Sequence, residues 1–145
     1  MPFSATTLAL ALTVAFSTST GTPPVTRSVP PHMPKVETVK EHVQAYFADI
    51  PIMAAISDCE SHYRQFDTDG NVFRGAINNK DVGVMQVNEY YHLDEAKALG
   101  FDLYTLQGNL DYARYLYNRE GTDPWSSSEY CWSKSSAAKS LAVAK

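Results

Sequence analysis

The stretch Pro51-Ile52-Met53-Ala54-Ala55-Ile56-Ser57-Asp58-Cys59-Glu60-Ser61-His62-Tyr63 decides how this chain is read. Pro51 suits the first turn of a helix, where its missing N–H costs nothing, with Asp49 or Ile50 in the capping place. Ile52, Ile56, Glu60 and Tyr63 then fall on one helical stripe, at steps of four, four and three. Glu60 is the odd member of that apolar face. A carboxyl placed there loses solvation, which disfavours its charged form and raises its pKa. Such a group can hold a proton near neutral pH and deliver it to a leaving oxygen. The plainer alternative is a glutamate at a helix edge, reaching water along its own methylenes. Its neighbour Asp58 falls off the stripe and is expected in water.

Working outward, Val36, Val39, Val43, Tyr46, Phe47 and Ile50 recur at helical spacing and predict an amphipathic helix over 36–49. On the other side the helical period stops between Gln65 and Val87. Asp67-Thr68-Asp69-Gly70-Asn71 is turn chemistry, and β segments around 72–73 and 82–87 predict a small antiparallel ribbon. Read as a calcium loop, the turn puts Gln65 at the first ligand and Ala76 where a glutamate is required, so that reading fails. Helical spacing returns at Leu93, Ala96 and Leu99, closed by Gly100. It returns again at Leu106, Leu110, Ala113, Leu116 and Tyr117, closed by Gly121. Pro124-Trp125-Ser126-Ser127-Ser128 then turns the chain toward Cys131. The expected fold class is mostly α (α+β), with a small β ribbon in the middle.

The flanks read differently from this core. Leu8–Phe16 is an apolar run of signal-peptide length, far short of the roughly 20 residues that span a bilayer, and small residues for cleavage lie at Thr13-Val14-Ala15. Residues 1–19 are therefore expected to be a signal peptide, which leaves no stable membrane span after cleavage. Residues 20–35 form a Ser/Thr/Pro-rich extended linker, 36–132 a single domain, and 133–145 a small, polar, basic and flexible tail. The expected location is outside the cytoplasm: periplasm, cell wall or extracellular space.

Composition narrows the chemistry. The 145 residues are 44% hydrophobic, 12% aromatic and 19% charged, which excludes a wholly disordered or collagen-like chain. Residues 36–132 hold seven Lys/Arg against all sixteen Asp/Glu, a formal −9. So acidic a domain is a poor holder of phosphate backbones, and nucleic acid drops out as a partner. Two cysteines with His32, His42, His62 and His92 give no recognised ligand spacing, so neither metal nor cofactor is expected. The even cysteine count suggests one disulfide in an exported chain, and two buried thiols otherwise. No G-x-S-x-G frames a serine nucleophile, phosphate-cradling glycine loops are absent, and Cys59 with His62 lacks an orienting Asn or Asp.

Three short segments carry a resemblance. Cys59-Glu60-Ser61, then Gly83-Val84-Met85-Gln86-Val87, then Asn109-Leu110-x-x-Ala113-x-Tyr115-Leu116 resemble, in order and approximate separation, the soluble lytic transglycosylase branch of the lysozyme-like superfamily. The likeness covers roughly residues 50–132. It implies a lysozyme-like fold and a groove for a peptidoglycan glycan strand, taken up by a monomer. It also implies Glu60 as the catalytic acid/base, with Ser61, Met85 and Gln86 at the substrate. The family's A-Y-N-A-G segment is missing; Pro124–Trp132 stands in its place, leaving Tyr130 or Trp125 to close the cleft. In that feature the chain is similar to the resuscitation-promoting factors, which share the Cys-Glu-Ser start and the Trp-containing terminal cysteine. Their bridged cysteines imply a Cys59–Cys131 pair here.

The resemblance implies cleavage of the β-1,4 bond between MurNAc and GlcNAc. Ordinary glycosidases use two carboxylates, about 5–5.5 Å apart for retention or about 6.5–9.5 Å for inversion. Asp67, Asp69 and Asp81 lie where a second one could stand, although two of them already serve a turn. A lytic transglycosylase needs only Glu60, because the sugar's own 6-hydroxyl attacks and leaves a 1,6-anhydro end; proximity replaces water. The rivals are a lysozyme-type hydrolase and a non-catalytic wall-binding module. Tyr63, Tyr90, Tyr91, Tyr112 and Tyr115 could face sugars, or simply pack.

Overall fold

The computed structural model describes residues 37–143, so the signal-peptide and linker expectations lie outside the described residues. The first helix, α1, is Val39–Tyr46, a shorter span than the periodicity predicts. Thr38 stops it at the front with a capping box, its hydroxyl accepting from the Glu41 N–H while the Glu41 carboxylate accepts from the Thr38 N–H. Pro51 begins α2, Pro51–Ser61, and a residue preceding proline is disfavoured in helical conformation, which separates the two helices. Helix α2 ends two residues before Tyr63, because His62 and Tyr63 both take left-handed backbone, at φ 52° and 60°.

Strands β1, Asp81–Val82, and β2, Val87–Asn88, pair antiparallel, with Asp81 opposite Asn88 and Val82 opposite Val87. Isolated bridges Phe66–Val72 and Arg74–Val82 extend this small ribbon toward the turn at 67–71. The continuous strand expected over 82–87 is instead a hairpin. Gly83 at φ +73° and Gln86 at φ +48° fold the chain back on itself.

Helix α3, Glu89–Ala98, starts from the Asn88 cap, and α4, Leu106–Glu120, from the Thr105 cap, whose hydroxyl accepts from the Gly108 N–H. A 3₁₀ segment, Asp123–Ser128, leads into the short α5, Glu129–Trp132. The stretch 133–145, expected as a loose tail, carries helix α6, Ser136–Val143. Its Ala, Ser and Lys residues tolerate helix well, and Ala137 and Ala138 pack against the core.

Helix α2 is the centre of the packing, touching α1, α5, α6 and the 3₁₀ segment. Ile52, Met53 and Ile56 from α2 meet Val43 of α1, Val82, Val84 and Met85 of the hairpin, and Leu110, Tyr112 and Leu116 of α4 in one buried cluster. Burial of each such side chain stabilises by about 1.5–3 kcal/mol. Asp58, off the buried stripe, is exposed as its position predicts. Cys59 and Cys131 form a disulfide that ties α2 to α5 across 72 positions. The Arg114 guanidinium binds Asp49 through two nitrogens and also donates to the Tyr46 carbonyl, fastening α4 to the corner between α1 and α2. Among the described residues, no helix is long and apolar enough to cross a membrane.

Candidate active site

The hairpin turn between β1 and β2 is pinned from four directions. The Val84 carbonyl accepts from Ser61 Oγ at 2.8 Å and from Ser57 Oγ at 3.3 Å. Gln65 Oε1 accepts from the Val84 N–H at 2.9 Å while its Nε2 donates to the Tyr104 carbonyl. Asn109 Oδ1 accepts from the Met85 N–H at 2.9 Å, and its Nδ2 faces the Val82 and Leu103 carbonyls, each at 3.0 Å. Trp125 Nε1 donates to the Met85 carbonyl at 2.9 Å. Gly83 permits this crowding: a Cβ there would stand 2.5 Å from Asn109 Nδ2 and 2.7 Å from Gln65 Oε1. The three short segments singled out in the sequence therefore meet around one turn.

That pinning builds a cleft of about 310 Å³. Glu60 from α2, Asp81 from β1, Gln86 from the turn, Asn88 from β2, His92 from α3 and Trp125 from the 3₁₀ segment line it. Glu60 is half-buried and accepts from Ser128 Oγ at 2.6 Å. Burial pushes its pKa up, the Ser128 hydrogen bond pulls it down, and the charge of Asp81 pushes it up again; the net shift is upward from 4.5. A carboxyl with a raised pKa is thus held at the cleft wall.

Of the three aspartates considered as a second carboxylate, only Asp81 lines this cleft. Its Oδ1 accepts from Asn88 Nδ2 at 2.6 Å and Asn78 Nδ2 at 3.2 Å. Asp67 instead organises its turn, accepting from the Asp69 and Asn71 N–H groups, and Asp69 is exposed beside it.

The other expected site residues divide. Gln86 lines the cleft, with its Nε2 donating to the Gly83 carbonyl at 2.8 Å. Ser61, expected at the substrate, is 1% exposed and its hydroxyl is engaged by backbone carbonyls of α2 and the turn. Met85 is 0% exposed and belongs to the core; only its backbone serves the site, as the acceptor for Trp125. Tyr130 stands 81% exposed, outside the lining of the cleft, with Lys134 Nζ 3.2 Å from its ring centroid. The aromatic residues that line the cleft are Trp125, 3% exposed, and Tyr91 of α3, which is largely exposed.

Reasoning from sequence did not single out Ser128, His92 or Asn88. Ser128 was legible only as part of a polar turn, and its pairing with Glu60 spans 68 positions. Asn88 carried a signal, since an Asn before a helix caps it; that cap is made with the Tyr90 N–H. Among the described residues, no group of three His, Cys, Asp or Glu side chains is placed to hold a metal ion. Glu60, half-buried with a raised pKa, and Asp81, held by two amides, line the same cleft. Paired carboxyl groups are the side-chain type that acid-assisted cleavage of an acetal bond uses. The chain matches no protein-family model, no curated protein and no solved structure.

Proposed function

We propose that this protein is a lysozyme-like peptidoglycan glycosidase that cleaves the β-1,4 bond between MurNAc and GlcNAc, with Glu60 as general acid/base. The observation that carries this reading is Glu60 itself: half-buried, raised in pKa, and set at the wall of a polar cleft. The protonated carboxyl gives its proton to the glycosidic oxygen as the bond from that oxygen to the sugar's anomeric carbon breaks. In the first reading, the MurNAc 6-hydroxyl then attacks the anomeric carbon, and Glu60, now a carboxylate, takes up the hydroxyl proton. The product is a 1,6-anhydro end, and Glu60 is restored.

A second reading is favoured by Asp81, the carboxylate that shares the cleft with Glu60. Such a group can stabilise the cationic transition state, act as nucleophile, or activate water, and the product is then a hydrated reducing end. The disulfide supports a working place in an oxidising compartment outside the cytoplasm. Mass spectrometry of purified peptidoglycan digested with the protein tests both readings. Anhydro-muropeptides, lighter by the mass of a water molecule, are the expected product. Reducing ends select the hydrolase, and binding without cleavage selects a wall-binding module.

A further inference from the structure

We propose that His92 is a substrate-binding residue of this cleft, offering an unprotonated Nε2 as acceptor to a hydrogen-bond donor of the bound glycan; the inference rests on the glycosidase reading. It follows from the direction of a hydrogen-bond chain behind the cleft. The Glu95 carboxylate receives Tyr112 Oη at 2.8 Å, Tyr115 Oη at 2.9 Å and Arg119 Nη1 at 2.6 Å. These donors hold Glu95 ionised, below the usual carboxylate range, led by the two tyrosine hydroxyls. A carboxylate has no proton to give, so the single hydroxyl proton of Tyr112 goes to Glu95.

Tyr112 Oη also lies 3.0 Å from His92 Nδ1. With its proton already directed at Glu95, that oxygen can only accept, and Nδ1 must carry the donor hydrogen. A neutral imidazole has one N–H, so Nε2 is left with a bare lone pair. The ring is steadied by Tyr112, with centroids 5.6 Å apart. Nε2 makes no hydrogen bond among the described residues, and His92 lines the cleft four positions after Asn88. An acceptor of fixed tautomer beside a sugar groove suits a sugar hydroxyl or N-acetyl N–H. It is supported from behind by a chain that ends on an arginine.

The test uses the full chain carrying Glu60→Gln, so that glycan binds without being cleaved, with a GlcNAc–MurNAc tetrasaccharide as probe. Long-range ¹H–¹⁵N spectra at neutral pH should show His92 as the Nδ1–H tautomer, and titration should move its Nε2 resonance together with the Trp125 indole. Adding His92→Phe should weaken binding about 5-fold or more, the worth of one hydrogen bond, and His92→Gln, whose carbonyl can accept, should recover part of the loss. Tyr112→Phe removes the acceptor that sets the tautomer and should yield a mixture. An Nε2–H tautomer in the free protein overturns the inference. So does a tetrasaccharide that shifts Trp125 while leaving Nε2 and the His92→Phe affinity unchanged, and in that case the glycosidase reading stands. A tetrasaccharide that moves neither group, with peptidoglycan left intact by the unsubstituted protein, removes the glycosidase reading and this inference with it.

Discussion

Ser128 Oγ lies 2.6 Å from Glu60 Oε1 and 3.1 Å from the Trp125 carbonyl. A hydroxyl has one proton and two lone pairs, so these two contacts serve the two states of Glu60 in turn. When Glu60 is ionised, Ser128 donates to it. When Glu60 is protonated, its own O–H donates to Ser128, whose proton swings to the Trp125 carbonyl. Glu60 therefore keeps a hydrogen-bond partner in either protonation state.

Ser128 and Asp81 should move the pH profile of cleavage in opposite directions. The Ser128 hydrogen bond favours the charged form of Glu60, and the Asp81 charge favours the neutral one. Ser128→Ala should shift the alkaline limb of kcat/KM upward, because the charged form of Glu60 loses its hydrogen bond. Asp81→Asn should shift it downward. A profile unmoved by both substitutions would show that Glu60 is not the titrating acid.

Glu60→Gln should lower cleavage by at least about 100-fold, the contribution of a positioned general acid. Its effect on stability has the other sign. Because the folded-state pKa is raised above its ordinary value of 4.5, the folded protein holds the proton more tightly. Stability from this group is complete below that value and is lost as pH rises through the folded pKa. At neutral pH the glutamine should leave the melting temperature unchanged or higher, as thermal scans at pH 4 and pH 7 will show. An inactive variant that melts early would reflect damage to the fold rather than loss of the acid.

Asn109→Leu should destabilise by about 3 kcal/mol or more. It removes the partner of the Met85 N–H and of the Val82 and Leu103 carbonyls, and an unpaired buried group costs about 1–3 kcal/mol. Asn109 is fully buried, so water cannot replace it without an opening of the turn. Urea denaturation measures the loss, and an unchanged midpoint would remove Asn109 from its place as the pin of the turn.

Reduction of Cys59–Cys131, or the double alanine variant, should cost about 4 kcal/mol, the loop-closure value for a bridge across some 72 positions. The bridge joins the residue next to Glu60 to a residue three positions after Ser128. Cleavage by the fraction still folded should therefore fall too, with the alkaline limb moving upward as in Ser128→Ala. Denaturant titration with and without reductant separates the two effects.

The helices were legible because their information is local and periodic. Ile52, Ile56 and Glu60 share a face of α2 whatever surrounds it, Pro51 opens that helix, and Gly121 closes α4. Where the reading failed, a non-local contact had overruled a local pattern. The run Val82–Val87 looks like a strand, but Asn109 and Gln65 bond the backbone of its middle residues and fold it into a turn. The tail looked free because nothing in its own residues shows the surface of α2 on which α6 rests.

Desolvation of Glu60 could be read from the stripe on which it sits, because helical periodicity alone puts a residue on an apolar face. Its partners could not. Asp81, His92 and Trp125 reach the same cleft from three separate segments, and Ser128, in the segment of Trp125, meets Glu60 there, at distances along the chain that no spacing rule covers. For the same reason Ser61 and Met85, next to cleft residues in sequence, turn inward: adjacent positions on a helix or a tight turn face different ways. Which face a residue presents is a property of its own segment. What it meets there depends on how segments pack, and that was decided only when α2, the hairpin and the 3₁₀ segment closed around one another.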